Sequence, residues 1–118
     1  MMENALEDRE HVQQIARAML NGQLGVIGAA RALLPFLHRN PQLTSQEDYN
    51  LVRAIESETD DLPLGPVREL WDTAALPEKD REIARCEALW QDQFRAACER
   101  LLLNSQHLPP GHAPNKKP

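Results

Sequence analysis

From Ile83 to Leu101 apolar residues return at every third or fourth position, as Ile83, Cys86, Trp90, Phe94, Ala97 and Leu101, with Leu89, Cys98 and Leu102 at the flanks. That spacing draws one continuous stripe along an α-helix, whereas a strand would alternate faces residue by residue. Pro77, followed by Glu78 and Asp80, suits the first turn of this helix. It is expected to run to Asn104, to be the longest element and to hold the centre of a helical packing.

The rest of the chain keeps the same period. Val12, Ile15, Ala16, Met19 and Leu20 share one face of a helix from Asn4 to Leu20, with Glu7, Asp8, Glu10, Gln13, Gln14 and Arg17 opposite. Asn21-Gly22 supplies a left-handed stop. Val26, Ile27, Ala30, Leu33, Leu34 and Leu37 mark a second helix so soon afterwards that the two form an antiparallel hairpin. Gly25, Gly28, Ala29 and Ala32 give it a smooth strip for close helix approach, and Pro35 predicts a kink or an early end near Leu34. RNPQLTS reads as a loop, and Thr44 with Glu47 has capping-box spacing. A third helix is therefore expected from Ser45 to Glu56 or Ser57, with Leu51, Val52 and Ile55 inward. Pro66 opens a short helix carrying Val67, Leu70 and Trp71. With no strand alternation and no internal repeat, the predicted fold is all-α: a single-domain bundle of four main helices plus one short helix over 1–104. The Pro- and Gly-rich tail over 105–118 is expected to be disordered.

A chain of 118 residues with 42% hydrophobic and 26% charged residues matches one soluble domain. Its net charge of −5 supplies no basic field for a phosphate backbone, so nucleic acid is not expected as a partner. No apolar run approaches the roughly 20 residues that span a bilayer, and MMENALEDRE has neither the basic nor the apolar region of a signal peptide. A cytoplasmic protein without a membrane partner is the expectation. Cys86 and Cys98, twelve residues apart on one helix, would stand about 18 Å apart and read as reduced, small buried hydrophobes.

Motifs of chemistry are sparse. Gly22, Gly25 and Gly28 follow a helix and precede no Gly-Lys-Ser/Thr, which excludes a phosphate-binding loop. His11, His38, His107 and His112 show no zinc spacing, and no nucleophile elbow is present, so no cofactor, metal or catalytic residue is assigned. His38 sits where its imidazole favours the end of a helix dipole.

One stretch stands out. Glu56, Glu58, Asp60 and Asp61 crowd the end of the third helix, where the partial charge is negative and cations are preferred. Their spacing imitates an EF-hand, but Asp61 stands where glycine is needed and Val67 where the bidentate glutamate belongs. Three explanations compete. Ser57 or Thr59 opens a turn in which Asp60 or Asp61 caps the next segment; Arg53 and Arg68 fold back as ion-pair partners; or the surface is kept acidic for a basic partner or a cation, with Trp71 as an aromatic anchor if exposed.

LNGQLGVIGAARAL, SETDDLP with VRELW, and KDREIARCEALW leading to AACERLL together resemble a family of small bacterial proteins with no established activity. The resemblance covers Ala16 to Leu102, and Ser57-Glu58-Thr59-Asp60-x-Leu62-Pro63 is its most specific part. It implies a bacterial, cytoplasmic, helical domain.

The leading functional expectation is a small acidic protein-binding module, an immunity-type or regulatory adaptor, that uses Glu56, Glu58, Asp60, Asp61, Arg68 and Trp71 against a basic protein. The alternatives are a small enzyme or divalent-metal protein with Glu58, Asp60 and Arg68 in a cleft, and a structural homodimer.

Overall fold

The computed structural model describes residues 2–107, with side-chain surroundings for 6–104; the expectation for 108–118 lies outside the described residues. Four α-helices carry the fold: α1 Met2–Leu20, α2 Val26–Arg39, α3 Gln46–Glu58 and α4 Leu76–His107. Two 3-10 helices, Pro41–Leu43 and Gly65–Leu70, interrupt the connections. Among the described residues there is no strand, and no helix is long and apolar enough to cross a membrane. The anticipated bundle and its long C-terminal helix are both present. The short element after Pro66 is a 3-10 helix, and α4 continues three residues beyond Asn104.

The stripes meet as their spacing requires. α4 lies chiefly along α1, while α2 touches α1, α3 and α4 and so holds the middle of the bundle. Val12, Ala16, Leu33, Leu37, Val52, Ile55 and Phe94 are wholly buried in the shared core. At about 1.5–3 kcal/mol for each large aliphatic or aromatic side chain, this burial dominates stability. Gly22, at φ +82°, closes α1 as a left-handed residue, and its N–H bonds the Met19 carbonyl at 3.1 Å.

Three local expectations are corrected. α2 does not end at Leu34 but runs through exposed Pro35 to Arg39. A helix-interior proline costs about 3 kcal/mol or more. Full burial of Leu37 and the anchoring of Arg39 and Asn40 beyond it offset that cost. The N-cap of α3 is Ser45, one residue past Thr44: its hydroxyl accepts the Asp48 N–H at 3.0 Å. Asp8, placed by periodicity on the wet face of α1, is buried. Arg39 donates to both of its oxygens at 3.1 Å, and the Asn40 amide donates at 2.8 Å.

The glycine strip also has a different meaning. A Cβ at Gly28 would touch only Leu24, at 3.8 Å, but one at Gly25 would stand 2.7 Å from the Glu87 carboxylate. Gly25 is the N-cap of α2 and has no side chain to offer. Glu87 reaches in from α4 instead, accepting the Val26 N–H at 2.7 Å and the Ile27 N–H at 3.1 Å. The carboxylate satisfies two orphan donors and sits at the positive end of the helix dipole.

Both the Glu87 cap and the Asp8 pair are open to test. Because Gly25 has φ −79°, open to any residue, Gly25→Ala meets only the steric conflict with Glu87. In wild type it should cost about 1–2 kcal/mol through the lost cap. In a Glu87→Ala background the same change should stabilise by about 0.4–1 kcal/mol, since alanine narrows the unfolded ensemble. Urea unfolding of the four proteins reads this reversal of sign. Separately, the bonds from Arg39 and Asn40 hold the Asp8 carboxyl below its usual range. Its contribution is therefore complete above the ordinary aspartate pKa and is lost as pH falls through the lowered folded value. Asp8→Asn should flatten the acid limb of the stability–pH curve and lower the plateau above it by the amount that Asp8 contributes, without changing the slope of that plateau.

Candidate functional site

The acidic segment is built on the C-terminus of α3. Ile55 faces the core, α3 continues to Glu58, and Thr59 is its C-cap, donating its N–H to the Ile55 carbonyl at 3.1 Å. The Thr59 hydroxyl turns back to the same carbonyl at 2.6 Å and is fully buried. Leu62 and Pro63 then plug the core. The chain thus alternates between pinned residues, Thr59, Leu62 and Pro63, and solvated ones, Glu58, Asp60 and Asp61.

The cation that the helix end calls for comes from α2. Arg31 donates through Nη2 to the carbonyls of Thr59 and of Leu62, the latter at 3.0 Å. One guanidinium therefore closes α3 and fixes the turn after it. This corrects the capping explanation: the acids remain at a helix end, and among the described residues neither Asp60 nor Asp61 accepts a hydrogen bond. Nor do Arg53 and Arg68 fold back onto them. Arg68 donates to Asp80 at 2.7 and 3.2 Å and to the Pro63 carbonyl at 3.2 Å, and Arg53 has no ion pair among the described residues.

The six anticipated residues are spread over one end of the molecule. Glu56 is half-buried and lines a groove between α2 and α3. Glu58 and Asp60 are exposed. Asp61 stands 4.0 Å from Lys79 Nζ, which lies 5.4 Å from the centre of the half-buried Trp71 ring. Arg68 is held by Asp80 in the same first turns of α4. Asp61, Lys79, Trp71, Arg68 and Asp80 thus form one surface, and Arg68 pairs with neither Glu58 nor Asp60. Among the described residues no group of three His, Cys, Asp or Glu side chains could hold a metal ion.

Leu70 is a feature that sequence spacing assigned to the apolar face of the short helix. The segment is a 3-10 helix with no buried residue, in which Val67 and Leu70 share one edge, and that edge faces solvent: Leu70 is 84% exposed. Arg31 and Glu87 were also missed, because their partners are backbone groups that carry no sequence signature.

The chain matches no family model, no curated protein and no solved structure.

Of the two thiols, Cys86 senses this surface. Burial pushes the fully buried Cys98 up to about 12. Burial, and then the charge of Glu58, raises half-buried Cys86. At mildly alkaline pH a disulfide reagent should leave Cys98 untouched until the protein unfolds and should modify Cys86 slowly. Glu58→Gln should speed Cys86 modification roughly twofold, as expected for a solvent-screened charge.

Proposed function

We propose that this protein is a protein-binding module whose recognition surface is the acidic end of α3, Glu56, Glu58, Asp60 and Asp61, joined to the turn that carries Arg68, Leu70 and Trp71, and that its partner is basic. The observation that carries the reading is Leu70. An aliphatic side chain left 84% in water, on a turn whose neighbours Arg68 and Trp71 are both anchored to α4, is a fixed apolar knob beside an acidic rim. Apolar anchors surrounded by polar rims concentrate binding energy, and the surrounding charge steers encounter and selects the partner. Trp71 is half-buried beside Leu70 in the sequence, with Lys79 Nζ over its ring.

The geometry favours binding over catalysis. Arg68, the cation an acid–base site would need, is committed to Asp80 and Pro63, and the three carboxylates at 58, 60 and 61 lie on open surface.

The test is affinity capture from the source organism with three folded proteins: wild type, Leu70→Ser, and the triple variant Glu58→Gln, Asp60→Asn, Asp61→Asn. A basic protein should be retained by wild type in a salt-sensitive manner and lost by the triple variant. Leu70→Ser should weaken it roughly thirty-fold, corresponding to a hot spot of about 2 kcal/mol. Equal retention by all three proteins would sink the proposal.

A further inference from the structure

α2 and α3 run antiparallel, as His38 against Tyr49 at one end and Arg31 against Thr59 at the other require. Between them lies an open groove of about 620 Å³ lined by Arg31, Leu34, Pro35 and His38 from α2 and by Tyr49, Arg53 and Glu56 from α3. Residues 31, 35 and 38 and residues 49, 53 and 56 each follow helical spacing, so two ridges of chemistry face one another.

The groups are arranged by charge. Arg53 is exposed and, among the described residues, has no ion pair or hydrogen bond. Arg31 is held in place by the Thr59 and Leu62 carbonyls through Nη2 alone. Tyr49 and His38 share a 3.0 Å hydrogen bond and stack with centroids 6.5 Å apart. An acceptor occupies the same groove. Glu56 pairs with neither arginine within 4.0 Å. Leu34, Pro35 and the Tyr49 ring supply an apolar floor.

We propose that this groove binds a small zwitterion of the α-amino acid class with an apolar or aromatic side chain. The carboxylate is received by Arg53 and the preordered Arg31, the ammonium by Glu56, and the side chain by Leu34, Pro35 and the ring of Tyr49. Each charged end meets a counter-charge the protein leaves unpaired, and a guanidinium fixed before binding loses little freedom on contact. Glu56 in turn opposes a ligand that is only anionic, and the two arginines oppose one that is only cationic. The groove shares Glu56 with the surface around Leu70 and is tested separately from it through Arg53, which belongs to the groove alone.

The experiment is a two-dimensional amide NMR titration of the full chain with L-phenylalanine, with N-acetyl-phenylalanine, which lacks the ammonium, and with phenylalaninamide, which lacks the carboxylate. L-phenylalanine should give saturable shifts confined to residues 31–38 and 49–56. Both derivatives should bind at least about tenfold more weakly. Arg53→Gln, a change at an exposed and unpaired position that leaves folding intact, should weaken L-phenylalanine about tenfold. Absence of saturation, equal shifts from all three compounds, or unchanged binding by Arg53→Gln would each overturn the assignment.

Discussion

α2 starts on a glycine, and its first amides are satisfied by a carboxylate that arrives from sixty residues away. On this contact the arrangement of the bundle depends. The position of Glu87 on α4 fixes where α2 begins, the absence of a Cβ at Gly25 lets the carboxylate reach it, and the bond closes the central helix against the longest one. A local cap such as serine would satisfy the amides equally well but would carry no information about which helix lies alongside. The cross-helix cap supplies both, joining local helix energetics to tertiary register.

The same device recurs at other helix ends. Arg95 of α4 donates to the Leu20 carbonyl at the end of α1 at 3.3 Å, Arg31 of α2 closes α3, and Asp48 in the first turn of α3 takes a two-pronged bond from Arg100 of α4 at 2.8 and 2.9 Å. Arg95 and Arg31 each oppose the partial negative charge of the helix end they meet, while at the start of α3 it is Asp48 that opposes the positive end and Arg100 that pairs with Asp48. Aliphatic packing, being non-directional, would tolerate sliding of one helix along another. These charged contacts do not, because a slip of one residue leaves a half-buried charge and an orphan backbone group together.

Helix number, type and most boundaries were legible because the apolar period is strong and the stops are chemically explicit, as Gly22 is. Polar residues on the buried stripes were harder to read. Asp8 stands four residues before Val12, and Asp48 four before Val52; both are in register with core positions, and both are buried. A carboxylate in that register signals a cation elsewhere in the chain, but which cation depends on helix pairing. Pro35 misled for a related reason: local backbone chemistry argues for a stop, and burial on both sides of it prevails. Around the candidate site, the acids were visible as composition. Arg31 was not, since its partners are carbonyls and every residue has one.

This division of charge also explains why the acidic segment stands out. Arg31, Arg39, Arg68, Arg95 and Arg100, five of the thirteen lysines and arginines, are committed to carbonyls or to carboxylates at 8, 48 and 80, and none of these five pairs with a carboxylate of the acidic segment. Glu58 and Asp60 face solvent with no such partner, and Asp61 has only a 4.0 Å contact with Lys79. Capping α3 with an arginine from α2 neutralises the helix end from inside the fold and leaves its outer face acidic. A lysine or arginine on α3 itself would have served the dipole and erased the surface charge. Placing the cation on the neighbouring helix reconciles a stable helix terminus with an acidic exterior, and Leu70 adds an apolar contact within the same end of the molecule.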